Sequence, residues 1–143
     1  VLKETYELIE HQMKMKSISF YTGFDAEKDL VYCNENQIKQ VCLALLVNAS
    51  DAVSENGEIL MKTSNPDDTH IKIDVIDNGV GIPPDDISHI FQPFFSAKRK
   101  ASGIGLGLAI VHGIVQSHNG TVDVESEPGK GTSMSVILPL VKN

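Results

Sequence analysis

The chain has 143 residues, of which 41% are hydrophobic and 22% charged, with a formal net charge of −7. That length and composition fit one domain with a single core, too apolar for disorder and without the run of ~20 apolar residues that a membrane-crossing helix needs. The acidic balance argues against a general nucleic-acid binder, although a helix N-terminus or a few local cations can still hold a phosphate.

The opening VLKETYELIEHQMKMK has no apolar stretch of the kind that marks a secretory signal, and its first residue is Val rather than Met, which reads as a piece cut from something longer. Leu2, Tyr6, Ile9 and Met13 recur at helical spacing and predict a helix over 1–16. Ile18, Phe20, Thr22 and Phe24 fall on one face of a predicted strand over 17–24, and a short strand is expected over 30–33. The strongest element is a helix from about Glu35 to Ser54. Asn34 is its N-cap, Gln37 comes three residues later, and Gly57 lies just past its end. Its apolar stripe is Ile38, Val41, Cys42, Leu45, Leu46, Ala49, Ala52 and Val53. Cys33 and Cys42 have no CxxC spacing and read as two reduced thiols rather than a zinc or redox site.

Strand alternation returns at Glu58–Ser64, with a turn expected through Asn65-Pro66-Asp67-Asp68, and again at Ile71, Ile73 and Val75 running into Asp77. Pro83 to Ser102 reads as one long irregular segment, the length of a functional loop. A second buried helix is expected from Gly103 to His118, then strands over 121–127 and 132–140 joined by Pro128-Gly129-Lys130-Gly131. The order α-β-β-α-β-β-loop-α-β-β predicts an α+β two-layer sandwich, a mixed sheet with helices on one face.

Four groups of residues stand out. Ala44, Asn48 and Asp51 share one edge of the long helix. That edge is either a solvated flank or the border of a cavity, where the Asn48 amide oxygen suits a hard cation such as Mg²⁺. Asp77-Asn78-Gly79-Val80-Gly81-Ile82-Pro83 closes a strand. It is either a hairpin turn or a place where a carboxylate accepts from a planar amine while two glycines let backbone approach a flat ligand. A hairpin needs a second strand, and Ile82-Pro83-Pro84-Asp85-Asp86 is not one, so the ligand reading is favoured. Gly103-Ile104-Gly105-Leu106-Gly107-Leu108 opens a helix, either as plain turn chemistry or as a row of N–H groups for a phosphate; it matches neither the dinucleotide fingerprint nor a P-loop. Lys98, Arg99 and Lys100 precede those glycines, as a solvated charge run or as cations beside an anion site.

In that order, with Phe91-Gln92-Pro93-Phe94-Phe95 between, these groups resemble the catalytic and ATP-binding domain of sensor histidine kinases over residues 18–140. That family shares its fold with gyrase B, the heat-shock chaperone ATPases and the MutL repair proteins. The resemblance implies that residues 1–16 end a linker to a dimerisation domain and 17–143 form the catalytic domain, with residues 83–102 as an ATP lid. It implies ATP and Mg²⁺ as ligands. Asn48 corresponds to the Mg²⁺-coordinating asparagine, and Asp51 lies where the family contacts nucleotide. Asp77 corresponds to the acceptor for the adenine amine, with Gly79 and Gly81 behind the base and Ile82 in the same nucleotide-binding set. Lys98 matches a lysine reaching the terminal phosphate. Gly103, Gly105, Leu106 and Gly107 match the phosphate-facing glycine box, and Thr132 the small residue near adenine.

Where the family commonly has another Asn, or in hydrolytic relatives a Glu general base, this chain has Ala44, which argues against gyrase-like hydrolysis. His11 lacks the flanking residues of a phosphoacceptor, so the acceptor histidine is expected upstream; His112 and His118 are expected to pack or cap. The implied reaction moves the ATP γ-phosphoryl to that histidine, in a cytoplasmic homodimer that serves a response regulator, without nucleic acid or membrane contact by this stretch. Two other readings stay open: a non-catalytic nucleotide-sensing module, and an anti-sigma-type serine kinase.

Overall fold

The computed structural model describes residues 17–29, 31, 33–53, 56–91 and 107–141. The expected helix over 1–16 and Gln92 to Leu106, with Lys98, Gly103, Gly105 and Leu106, lie outside them.

Among the described residues five strands form one sheet in the order β1-β2-β3-β5-β4: β1 (Ser19–Phe24), β2 (Glu58–Asp67), β3 (His70–Asp77), β4 (Thr121–Glu127) and β5 (Gly131–Pro139). β1 runs parallel to β2 and every other pairing is antiparallel, the mixed sheet expected from the sequence. Strand alternation sends Ile59 and Met61 of β2, Ile71, Ile73 and Val75 of β3, and Met134, Val136 and Leu138 of β5 to one face, where all are buried. Helices α1 (Glu35–Ala52) and α3 (Gly107–Ser117) cover that face and pack on each other, closing a core with Leu46, Val111 and Val115 at its centre. This is the two-layer arrangement with helices on one side. No helix among the described residues is long and apolar enough to cross a membrane.

α1 begins as its sequence dictates. The Asn34 side-chain oxygen accepts from the Gln37 N–H at 3.1 Å, and Ile38 N–H bonds the Asn34 carbonyl at 3.0 Å. The same Asn34 donates its own N–H to His118 Nε2 at 3.1 Å, while His118 Nδ1 bonds the Ile114 carbonyl at 2.8 Å. His118 thus ties the start of α1 to the end of α3. His112 packs its ring 5.5 Å from that of Phe91. Both histidines pack or cap, as expected.

Three expectations need correction. Val31 and Cys33 lie in no strand, and Leu30 and Tyr32 fall outside the described residues. β2 runs on through Asn65 and Pro66 to Asp67, with a register shift against β3 between Ser64 and Asp67, so the turn comes later, at Asp68 and Thr69. A bulged stretch tolerates a proline that has no N–H for the ladder. The segment after Pro83 is also more ordered than its composition suggests: Pro84–Ile87 form the short helix α2, and Ile90 is buried in the main core.

Candidate functional site

Five residues stand side by side across the helix-covered face at one end of the sheet: Phe20, Ile59, Asp77, Thr132 and Ser126. Asp77 and Thr132 are direct cross-strand partners, 6% and 5% exposed. A row that is apolar one step further along, at Val75 and Met134, here turns polar just where α1 ends. A buried carboxyl group costs free energy unless it is hydrogen-bonded. The Gly79 N–H supplies one bond to Asp77 Oδ1, at 2.9 Å.

The loop after Asp77 is held by backbone contacts on both sides. Val80 N–H donates to the Ala52 carbonyl at 3.0 Å, using an acceptor left over at the end of α1, and Gly129 N–H donates to the Val80 carbonyl at 2.8 Å. Asn78 clasps the start of β2, its side-chain oxygen accepting from Glu58 N–H at 2.8 Å. The glycines answer to this packing. A Cβ on Gly79 would lie 2.3 Å from the Ala52 carbonyl oxygen, and Gly81 combines a φ of +76° with a Cβ position 2.2 Å from the Glu127 carbonyl oxygen. Ile82, fully buried, fixes the root of the next segment: its N–H bonds Ser126 Oγ at 2.7 Å.

Asn48 and Asp51 sit on α1 within the last turns before Ala52, Asn48 half-buried and Asp51 exposed; Ala44, half-buried, is one turn earlier. Gly107 is the first residue of α3, and nothing lies within 4 Å of where its Cβ would be. Among the described residues no group of His, Cys, Asp or Glu is arranged to hold a metal by protein atoms alone.

The structure therefore brings Asp77, Gly79, Gly81, Ile82 and Thr132 together, with Asn48 and Asp51 on the neighbouring helix. Sequence reasoning missed Ser126. Its signal was weak but present: Val122, Val124 and Ser126 share the inward face of β4, so Ser126 is a hydroxyl where an apolar side chain is expected.

Similarity to known proteins points the same way. A family model described as "Histidine kinase-, DNA gyrase B-, and HSP90-like ATPase" matches residues 33–142. Sporulation kinase E of Bacillus subtilis (strain 168) is 31% identical over 143 residues, all of this chain but 19% of that protein, so the chain spans about a fifth of that relative's length. The solved catalytic domain of histidine kinase ThkA is 32% identical with a TM-score of 0.83, over 96% of this chain and 90% of that one. ThkA in complex with the response regulator protein TrrA gives 30% identity and a TM-score of 0.81, over 98% of this chain and 39% of that one. With a carboxyl group buried at the sheet's end, the glycine turn beside it and the Asn-bearing helix above, the chain belongs to the histidine kinase-, DNA gyrase B- and HSP90-like ATPases, as a catalytic, ATP-binding domain of the sensor histidine kinase kind.

Proposed function

We propose that this chain binds Mg·ATP at the Asp77 end of the sheet and delivers its γ-phosphoryl to a histidine imidazole on an upstream dimerisation domain. The observation that carries this reading is the buried Asp77–Thr132 pair, polar where the neighbouring row at Val75 and Met134 is apolar. The Asp77 carboxylate accepts from the adenine amine. Gly79, Gly81 and Ile82 form the loop wall beside the base, and Asp51 lines the approach from α1. Mg²⁺ held by the Asn48 amide oxygen and the phosphates would offset phosphate charge. By resemblance, Lys98 meets the terminal phosphate and the N–H groups around Gly103, Gly105, Leu106 and Gly107 face the phosphate chain.

Phosphoryl transfer of this kind asks for positioning and charge neutralisation more than for an acid or base. That is compatible with Ala44, which offers no general base for water. The reading makes residues 1–16 the end of a linker and 17–143 the catalytic domain, in a cytoplasmic homodimer whose phosphohistidine serves a response regulator. Calorimetry with Mg·ATP tests the site: Asp77→Ala is expected to weaken binding at least tenfold, about the worth of a hydrogen bond to a charged group. Unchanged affinity refutes the assignment.

Ala44 also favours a second reading, a module in which nucleotide occupancy is itself the signal. Fusing this chain to a helical hairpin that carries the phosphoacceptor, and tracing label from γ-labelled ATP, separates the two. Acid-labile phosphoprotein supports the kinase, tight binding without label supports the sensing module, and acid-stable label on serine supports an anti-sigma-type kinase.

A further inference from the structure

The Ser126 hydroxyl meets three partners: Ile82 N–H at 2.7 Å, the Gly131 carbonyl oxygen at 3.0 Å and the Thr132 hydroxyl at 2.8 Å. Their chemistry leaves one arrangement that satisfies all three. A backbone N–H only donates and a carbonyl only accepts, so Ser126 accepts from Ile82 and commits its single proton to Gly131. The contact with Thr132 then requires the proton of Thr132. In the reverse arrangement the Ser126 oxygen would face the Gly131 carbonyl oxygen at 3.0 Å with no proton between them, an unfavourable contact in a half-buried place.

We propose that Ser126 is a positioning residue for base selection: by taking the Thr132 proton it leaves the Thr132 oxygen as an acceptor beside the Asp77 carboxylate. The Asp77–Thr132 pair then offers acceptors to a purine edge, which welcomes a 6-amino group and opposes a 6-oxo group. Asp77 supplies the larger share of that choice, and Ser126 turns away from the base the Thr132 hydroxyl proton that would let a 6-oxygen settle. The inference rests on the reading that the base docks at Asp77.

Inosine triphosphate is the suitable probe, because it differs from ATP only in its 6-oxygen and the proton on N1. Calorimetry with Mg·ATP and Mg·ITP on the chain and on Ser126→Ala, Ser126→Thr and Thr132→Val gives the affinity ratio directly. In Ser126→Ala the Thr132 proton is free to turn toward the ligand, and the ATP-to-ITP ratio falls about tenfold. Ser126→Thr keeps the hydroxyl and keeps the ratio. Thr132→Val has no proton to redirect, so ATP weakens and ITP gains nothing. A merely structural role for Ser126 weakens both nucleotides together and leaves the ratio where it was, which overturns the proposal. An equal fall in Ser126→Thr overturns it too. Should Ser126→Ala fail to fold, Ser126→Cys takes its place, since a thiol of similar size donates and accepts poorly. If the unaltered chain binds neither nucleotide, or Asp77→Ala leaves ATP affinity unchanged, the base site itself is misplaced. An intact dependence on Asp77 with an unmoved ratio removes only the role of Ser126.

Discussion

Gly129, in the turn between β4 and β5, and Gly131, the first residue of β5, both hold positive φ, +81° and +128°, yet their surroundings differ. A Cβ on Gly129 would meet nothing within 4 Å, whereas one on Gly131 would lie 2.0 Å from the Asp77 carbonyl oxygen. Gly129→Ala therefore carries backbone strain alone and is expected to cost about 1 kcal/mol. Gly131→Ala adds a collision with the strand that bears Asp77, and is expected to cost more than about 2 kcal/mol and to weaken nucleotide binding as well. Urea unfolding of the two variants, beside nucleotide titrations, distinguishes them. The cysteines offer a chemical check at the same scale. Burial pushes the Cys42 thiol up to about 12, and burial and Glu35 raise that of half-buried Cys33. The thiolate is the reactive form, so iodoacetamide at pH 8 is expected to leave Cys42 unmodified until the chain is unfolded. Mass spectrometry of the native and urea-treated protein reads this directly.

Elements that rest on local rules could be foreseen. Asn34 with its bond to Gln37 marks the start of α1 in the sequence as clearly as in the structure, and Asn34→Ala is expected to cost about 1 kcal/mol with Asn34→Ser near neutral. Chemical denaturation measures both. The hairpin between β2 and β3 could not be foreseen, because Asn65-Pro66-Asp67-Asp68 has the composition of a turn while long-range bonds decide its conformation. The Asn65 side chain accepts from Glu27 and Lys28 N–H at 2.9 and 3.1 Å and donates to the His70 carbonyl at 3.0 Å, which holds it in the sheet. The turn itself is closed by Asp67, which accepts from Thr69 N–H at 2.8 Å and pairs with His70 Nδ1 at 2.9 Å. The bonds to His70 and Thr69 lower the Asp67 carboxyl from 3.8 to about 2. A folded-state pKa below the unfolded one means that the carboxylate's support for the turn is complete above about pH 4 and fades as pH falls toward 2. An NMR titration is expected to place the Asp67 midpoint below 3, and Thr69→Ala to raise it. The site divides the same way. Asp77 could be singled out because the strand that ends in it runs into Gly-x-Gly and then into Pro83-Pro84-Asp85-Asp86, which cannot be the second strand of a hairpin. The bearing of Ser126 on Thr132 depends on which residues face each other across β4 and β5, and only register reveals that.

For the whole molecule, one core joins α1 and α3 to the sheet, so unfolding is expected in a single transition by fluorescence and circular dichroism alike. Nucleotide that binds only the folded form shifts that transition. Mg·ATP at a hundred times its Kd is expected to add about 2.7 kcal/mol, and Asp77→Ala to cut that gain to about 1.4 kcal/mol or less at the same concentration. Thermal melts with and without nucleotide supply the comparison.

The parallel pairing of β1 on β2 has a geometrical consequence. Because Phe20 stands in the same lateral row as Asp77, with only Ile59 between, β1 passes two strand spacings, about 10 Å, from Asp77 and begins at the same end of the sheet. Ser17, the point from which the preceding chain is tethered, thus lies at the Asp77 end of the sheet, not at the far end of the strands. A recipient group carried on that tether enjoys a high effective concentration that depends on how many residues separate it from Ser17. Inserting flexible residues just ahead of Ser17 is expected to slow transfer to an attached acceptor while leaving Mg·ATP affinity untouched.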